Sequence, residues 1–191
     1  APFGTIPWMK DHLNGLELND SMAIIQYLIY QYPGPLTPEN NEVAARVGMY
    51  WGWVQDYYSF VLSPFHDIIT GHNEVFWRNL RLTDSLANGG KKAGVENLAT
   101  LHKKRVEYLE RHLVKANAGP FLTGSKCSYA DVFLYTCVRT VQESKGFGLL
   151  RDACEGKPFA EFNLVTNISA AVGEISDVKQ IVGTKFVDYP I

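Results

Sequence analysis

The sequence has few cysteines and no long apolar run. Its three cysteines, Cys127, Cys137 and Cys154, are odd in number and lack C-x-x-C spacing, which argues against both a disulfide framework and a metal site. No apolar stretch approaches the length of a membrane-spanning helix, and the first residues carry neither the basic region nor the long apolar core of a secretory signal. We therefore expect a cytoplasmic protein without a membrane span and without a bound metal.

An excess of charge of one sign is also missing. The 191 residues include 18 Lys and Arg against 20 Asp and Glu, a formal charge of -2, and this balance argues against nucleic acid or an anionic membrane as the main partner. The five histidines show no H-E-x-x-H spacing, and neither a glycine-rich phosphate loop nor a G-x-S-x-G elbow occurs. Metal-dependent and serine-dependent hydrolysis therefore have no support from the sequence.

The first part of the chain predicts two short strands followed by a helix. Residues 7–10 and 16–18 read as strands, and the Asn-Gly dipeptide between them indicates a hairpin. Asp20 and Ser21 then precede an apolar run that is typical of a capped helix ending near Pro33. Two strands and one helix do not form a stable domain in isolation.

Everything after a proline-rich linker at residues 33–38 reads helical. Besides a central helix that starts at Ser128 and a glycine-rich joint at residues 146–148, apolar spacing predicts helices over residues 39–62, 74–80, 91–115, 158–173 and 177–182. Asn88-Gly89-Gly90 should break the pattern, and Pro64 should kink or end its helix. An aromatic cluster in this region is expected to form core or a dimer surface more often than a substrate pocket: Trp51, Trp53, Tyr57, Tyr58, Phe60 and Phe65.

The central helix carries its own start signal. Ser128 and Asp131 have the spacing of a capping box, in which the hydroxyl accepts from the Asp131 N–H and the carboxylate accepts from the Ser128 N–H. Cys127 before the cap and Val132 inside it are spaced as a hydrophobic staple. The helix that follows has almost no polar face, and such a helix belongs in the middle of a bundle.

The stretch around this helix start resembles the hallmark of the glutathione transferase superfamily: a Phe-Leu pair, a short glycine turn and then Ser/Thr-x-x-Asp, here GPFLTGSKCSYADVFLYTCV at residues 119–138. A second match lies near the N-terminus, where residues 4–9 and 19–24 resemble the second half of the thioredoxin-like domain of that family. The resemblance implies an α+β fold that is mostly α. Its parts are a partial thioredoxin-like β-β-α unit at residues 1–32, a linker at 33–38, and an all-α glutathione-transferase C-terminal helical bundle at 39–191.

The resemblance also implies a glutathione site. In this family the proline of the first match is cis, and the residue before it pairs through its backbone with the cysteinyl part of glutathione. This assigns the cis bond to Pro7, the backbone contact to Ile6 and a weaker role to Thr5. Ser21, with the free N–H groups of a helix N-terminus, suits the γ-glutamyl carboxylate. Asp20 stands where the family usually has Gln; it either accepts from the ammonium of the ligand or is only a helix cap.

A homodimer is a further implication. Asp56 falls where several cytosolic classes of the family keep an acidic residue that reaches the γ-glutamyl ammonium in the neighbouring subunit, although an ordinary solvated helix Asp is the alternative. The second substrate implied by the family is a small hydrophobic electrophile. The pattern of residues 2–7 leans toward the sigma-like and related tyrosine-dependent classes.

No part of this sequence matches the first strand, helix and second strand of the family's thioredoxin-like domain. In the family those elements carry the catalytic Tyr or Ser, whose hydroxyl favours the glutathione thiolate. No tyrosine of this chain can be given that role by motif, so the catalytic residue stays unassigned. We expect either a fragment of a longer protein or a reduced relative. Two functions remain open: a transferase that conjugates the glutathione thiolate to small apolar electrophiles, and a non-catalytic transferase-like structural or assembly subunit.

Overall fold

The computed structural model describes residues 7–64 and 83–182, with the backbone alone for residues 83–93 and 181–182. Two antiparallel strands, β1 (Trp8–Lys10) and β2 (Glu17–Asn19), come first and are paired so that Trp8 lies opposite Asn19. The helix α1 (Ser21–Gln31) follows directly. The β-β-α order predicted from the sequence is confirmed.

The rest of the described chain consists of helices joined by turns and loops. The helix α2 (Asn41–Tyr57) continues into a π-helical turn (Tyr58–Leu62) that the sequence did not predict. The later helices are α3 (Thr83–Lys115), the central α4 (Tyr129–Glu143), α5 (Gly148–Ala153), α6 (Asn163–Gly173) and α7 (Ser176–Val182). The fold class, α+β and mostly α, is therefore as predicted. Within the ranges described, no helix has the length and apolar character needed to cross a bilayer.

Two helix boundaries differ from the prediction. The expected break at residues 88–90 is wrong, because α3 runs through it from Thr83. A glycine inside a helix costs only about 1 kcal/mol relative to alanine, which a helix of 33 residues tolerates. The helix expected from residue 158 begins at Asn163, since residues 158–161 form turns. The helix predicted at 74–80, Phe65 and the chain after Pro64 lie outside the described residues.

The core of the bundle surrounds α4, which packs against both α2 and α6. Trp51 of α2 joins the first of these contacts, with its ring centroid 5.5 Å from that of Tyr129 and 4.7 Å from that of Phe133. The prediction that α4 is an interior helix is confirmed by four side chains that are at most 2% exposed: Leu134, Cys137, Val138 and Val141.

A buried carboxylate holds the start of α4. Asp131 Oδ2 accepts from the Ser128 N–H at 2.8 Å and from the Ser128 hydroxyl at 2.6 Å. Its other oxygen, Oδ1, accepts from the Leu122 N–H at 2.7 Å, a contact that local spacing did not predict. The turn before the helix is tight, because a Cβ on Gly119 would lie 2.7 Å from the carbonyl oxygen of Gly124. The glycine turn and the helix start therefore form one unit around Asp131.

The β-β-α unit is held against the helices by α1 and the linker. Met22, Ile25 and Ile29 of α1 are partly buried and pack against the core. The Thr37 hydroxyl donates to the Ile29 carbonyl at 3.2 Å, and Lys126 Nζ donates to the Thr37 carbonyl at 3.0 Å. These contacts fix where α1 begins relative to the bundle. The division of the chain at residues 1–32, 33–38 and 39–191 stays a prediction.

Glu110 of α3 caps the N-terminus of α6. Its Oε1 accepts from the Leu164 N–H at 2.8 Å and its Oε2 from the Val165 N–H at 3.0 Å. The first N–H groups of a helix have no partner inside the helix, and a carboxylate placed there also interacts favourably with the helix dipole. One side chain therefore joins α3 to α6.

We expect Glu110→Gln to lower the free energy of unfolding by about 1–2 kcal/mol. The amide keeps one acceptor oxygen but loses the second acceptor and the charge. Urea unfolding followed by circular dichroism measures the change. Glu107→Gln is the matched control, because the Glu107 pair with Arg111 is exposed and 3.8 Å long and should contribute less than about 0.5 kcal/mol. Equal losses in the two variants would contradict the capping role.

Candidate functional site

The N-terminus of α1 holds two of the four described residues predicted for the site, Asp20 and Ser21. Asp20 is its N-cap, and Asp20 Oδ1 accepts from the Met22 N–H at 2.8 Å and from the Ala23 N–H at 3.3 Å. Its backbone has φ 84 and ψ 131, a conformation that residues other than glycine rarely adopt. Such strain is concentrated at binding and active sites. Asp20 Oδ2 has no hydrogen bond within the described part of the chain.

Ser21 is the first residue of α1 and is exposed to solvent. In residues 7–64 and 83–182, its hydroxyl has no hydrogen-bond partner. The first turn of α1 contains no acidic residue, and the Asp20 carboxylate at the N-cap lies at the positive end of the helix dipole. An unused hydroxyl at a helix N-terminus is suited to binding an anion.

Pro7 lies beside this helix start because of the strand register. It precedes Trp8, whose partner across the hairpin is Asn19, and Asn19 Nδ2 donates to the Pro7 carbonyl at 3.4 Å. Asn19 is followed at once by Asp20 and Ser21. The structure therefore brings Pro7, Asp20 and Ser21 together, although a hairpin separates them in the sequence.

Asp56 lies on α2 and not at the N-terminus of α1, where Asp20 and Ser21 lie. It is exposed and forms no ion pair with any described residue. Met49, two turns before it, is 50% exposed, and Phe60, one turn after it, is 41% exposed. A face that mixes a carboxylate with exposed large apolar side chains is suited to a protein partner. Thr5 and Ile6 lie outside the described residues, so their roles, like that of Asp56, stay predictions.

Tyr57 belongs to the core rather than to a site. It is 1% exposed, its ring stacks on that of Trp53 with centroids 5.4 Å apart, and its hydroxyl bonds to His102 Nδ1 at 2.8 Å. Burial raises the pKa of Tyr57 well above its usual value. The other aromatic residues of this region divide: Trp51 is buried, whereas Tyr58 and Phe60 are exposed. Tyr57 is therefore not a candidate for stabilising a thiolate.

The described thiols are protonated at neutral pH. Burial raises the pKa of Cys127 and of Cys137 to about 12, and it also raises the pKa of Cys154. Because the thiolate is the nucleophilic form, none of the three is an activated nucleophile. A search of the described residues for three or more His, Cys, Asp or Glu side chains placed to hold a metal ion finds no such group.

A cavity of about 1070 Å³ opens at a different place, between α3, α5 and residues 155–162. Neither the predicted residues of the α1 N-terminus nor Asp56 line it. The position of this cavity therefore does not coincide with the site predicted from the sequence. In the described part of the chain, Asp20 and Ser21 lie on an exposed surface.

Comparisons with known proteins agree with this fold. A family model described as "Glutathione S-transferase, C-terminal domain" matches residues 87–180. The "Glutathione S-transferase-like protein OpS6" of Beauveria bassiana (strain ARSEF 2860) is 33% identical over 136 residues, which is 69% of this chain and 54% of that protein. This chain thus spans about half the length of that curated relative. A solved structure titled "Structure of NaGST-2" matches with a TM-score of 0.69 and 19% identity, over 97% of this chain and 76% of that chain.

The small sheet, α1 and the all-α bundle together have the fold of that solved structure. The chain belongs to the glutathione S-transferase superfamily. The resemblance inferred from residues 119–138 is thereby confirmed. The family implies glutathione as co-substrate, while transferase activity, the homodimer and a cytoplasmic location stay predictions.

Sequence reasoning missed the contacts between elements made by His102, which is buried, and by Glu110 and Arg151, which are partly buried. Arg151 Nη1, for example, donates to the Val141 and Ser144 carbonyls at 2.8 and 2.7 Å and so closes the C-terminus of α4. Local spacing does not reveal such partners, because they lie on other elements. One signal was available for His102, which lies one turn after Leu98 and one turn before Val106, on the buried stripe of α3.

Proposed function

We propose that this chain provides the γ-glutamyl subsite and the helical domain of a transferase that conjugates glutathione to small apolar electrophiles. The observation that carries the proposal is the N-terminus of α1, where the Ser21 hydroxyl, the second Asp20 oxygen and the Pro7 backbone lie together. Neither the hydroxyl nor that oxygen has a hydrogen-bond partner among the described residues. Membership of the superfamily supports the choice of glutathione as the ligand.

The proposed subsite matches both charges of the γ-glutamyl end of glutathione. Its carboxylate is suited to the Ser21 hydroxyl and to the positive end of the α1 dipole. Its ammonium is suited to Asp20, because Oδ1 is held by the cap and Oδ2 still accepts. The site would therefore recognise a free α-amino acid group rather than a simple anion.

In the proposed reaction, the glutathione sulfur forms a bond to an electrophilic carbon and the leaving group departs with its electron pair. The described residues bind and orient the tripeptide. Tyr57 and the three described cysteines are buried or protonated and do not activate the sulfur. The group that stabilises the thiolate stays unassigned, and turnover is a property of the whole protein.

The proposed homodimer uses the exposed face of α2. Met49 and Phe60 would be covered by the second copy, and Asp56 between them would reach the ammonium of glutathione bound to that copy. This arrangement gives two carboxylates, Asp20 and the Asp56 of the other copy, to one ammonium. Sedimentation equilibrium of the natural protein tests it, and a monomer at micromolar concentration would exclude the role of Asp56.

Calorimetric titration with reduced glutathione tests the subsite, and conjugation of a chlorinated nitrobenzene tests turnover. We expect Ser21→Ala to weaken glutathione binding about fivefold, because it removes one hydrogen bond to a charged group. Ser176→Ala is the matched control, since Ser176 is also the first, exposed residue of a helix, α7. The proposal fails if the natural protein shows no glutathione binding, or if the two variants bind equally.

A non-catalytic transferase-like subunit is the second candidate function. The observation that favours it is the Asp20 cap, which already occupies the Met22 and Ala23 N–H groups that a ligand carboxylate would otherwise use. Binding of glutathione without conjugation of any aryl halide would support this structural or assembly role over catalysis.

A further inference from the structure

A buried histidine joins three parts of the helical bundle. His102 of α3 is 0% exposed, with Nε2 at 2.8 Å from the Pro158 carbonyl oxygen and Nδ1 at 2.8 Å from the Tyr57 hydroxyl. A carbonyl oxygen only accepts, so Nε2 carries a hydrogen, and in the neutral ring Nδ1 then accepts from the Tyr57 hydroxyl. Burial lowers the pKa of His102 and so favours the neutral ring, in which both nitrogens form hydrogen bonds.

A second proton on this ring removes the acceptor that the Tyr57 hydroxyl hydrogen uses. It would sit on Nδ1, which faces the Tyr57 hydroxyl, and Tyr57 is 1% exposed with no other hydrogen-bond partner among the described residues. The ring of Phe159 packs edge-on against His102 with centroids 5.1 Å apart, so the surroundings are apolar. Burial lowers the pKa of His102, and the bond to the Pro158 carbonyl opposes this only in part. Protonation therefore reverses this bond, so that Nδ1 donates to the Tyr57 oxygen. It leaves a buried cation and, among the described residues, no acceptor for the Tyr57 hydroxyl hydrogen.

The titratable groups around this contact do not compensate for the charge. Cys137 of α4 and Cys154 at the end of α5 are the groups that act electrostatically on Tyr57, and burial raises the pKa of both thiols, so they stay neutral. Lys103 and Glu161 form an exposed ion pair at 2.9 Å that also joins α3 to the segment after α5. The two side chains are oppositely charged, so the pair adds no net charge near the ring.

We propose that His102, Tyr57 and Pro158 form an acid-sensitive latch, in which protonation of His102 shifts residues 157–162 toward an open state while the rest of the bundle stays folded. These residues form one wall of the cavity of about 1070 Å³ between α3 and α5. The latch therefore sets the equilibrium between the closed and open positions of residues 157–162. It is independent of the α1 N-terminus and of glutathione binding.

The direction of the effect follows from proton linkage. A histidine whose pKa is lower in the closed than in the open state stabilises the closed state above its ordinary pKa of about 6.5, and this stabilisation is lost as the pH falls below it. The opening constant then rises by up to about tenfold for each pH unit. Between about pH 7 and pH 5 we expect a rise of about tenfold or more.

Amide hydrogen exchange with mass spectrometry, corrected for the intrinsic pH dependence of exchange, measures the opening. Corrected exchange in peptides that span residues 157–162 should accelerate about tenfold or more between about pH 7 and pH 5, while peptides of α4 stay unchanged. An unchanged segment overturns the latch. Equal acceleration in α4 also overturns it, because that result means global unfolding.

Three variants assign the effect to the ring. His102→Gln cannot titrate but keeps an N–H that can donate to the Pro158 carbonyl, so the pH dependence should disappear. Tyr57→Phe frees Nδ1 and should move the midpoint of the transition to higher pH, which stays measurable if the Gln variant does not fold. His112→Gln, an exposed histidine on the same helix, should keep the wild-type profile. A wild-type profile in His102→Gln, or an unmoved midpoint in Tyr57→Phe, overturns the assignment.

Discussion

Replacing Asp131 by alanine is expected to lower the free energy of unfolding by about 3–5 kcal/mol, since each buried donor left without a partner costs about 1–3 kcal/mol. Asp131 is 0% exposed, and its carboxylate accepts from the Leu122 N–H, the Ser128 N–H and the Ser128 hydroxyl. Alanine leaves these three donors buried and unpaired. Burial raises the pKa of Asp131, and the hydrogen bonds from Leu122 and Ser128 oppose that rise.

Urea unfolding followed by tryptophan fluorescence and circular dichroism measures this loss, which should lower the midpoint at an unchanged slope. Asp131→Asn should also destabilise strongly, because an amide has one acceptor oxygen and would turn its NH₂ group toward a donor. Asp152→Ala is the control, since Asp152 is exposed on α5 and should change the free energy by less than about 0.5 kcal/mol. A loss below about 1 kcal/mol in Asp131→Ala would contradict the account of the α4 start.

Replacing Asp20 by asparagine is expected to weaken glutathione binding about tenfold without changing stability. Asparagine caps helices as well as aspartate does and tolerates a positive φ, so it can keep the bonds to the Met22 and Ala23 N–H groups. It loses only the negative charge, which is the feature proposed to pair with the ligand ammonium. The variant therefore separates the two roles left open for Asp20, a helix cap and a ligand contact.

Calorimetric titration of wild-type and Asp20→Asn protein with glutathione and with N-acetylglutathione gives the test. The acetylated tripeptide has no ammonium, so the substitution should not change its affinity. An Asp20→Asn variant that binds glutathione like the wild type would assign Asp20 to the cap alone. A lowered unfolding midpoint in this variant would mean that the cap was disturbed and that Asp20→Ser, another strong N-cap, should replace it in the comparison.

The fold was largely predictable because its strongest signals are local. The capping box at Ser128 and Asp131 and the cap at Asp20 depend on residues three or fewer apart, and the structure contains all three side chains in these caps. The break at residues 88–90 was predicted wrongly for the same reason, since a local glycine signal does not include the stability of the long helix around it. The start of α6 at Asn163 was also not predicted, because the turn before the helix sets this boundary.

The site was predictable only in part. The residue types at Pro7, Asp20 and Ser21 could be assigned by resemblance, but their proximity depends on the pairing of Trp8 with Asn19. Spacing also could not show how Asp20 uses its two carboxylate oxygens. Oδ1 accepts from N–H groups of its own helix, while Oδ2 accepts no hydrogen bond from the described residues. A contact of Asp56 with glutathione in a second copy of the chain stays a prediction.

By itself, the sequence determined the membership of the superfamily, the β-β-α unit, the interior helix and its cap, because each is encoded by neighbours along the chain. Only the tertiary structure decided that Asp131 also holds Leu122, that Glu110 caps α6, and that His102 joins Tyr57 to Pro158. The physical reason is that a buried polar group must find a partner once water is excluded. Which partner it finds depends on how the helices pack, and local spacing does not specify that packing.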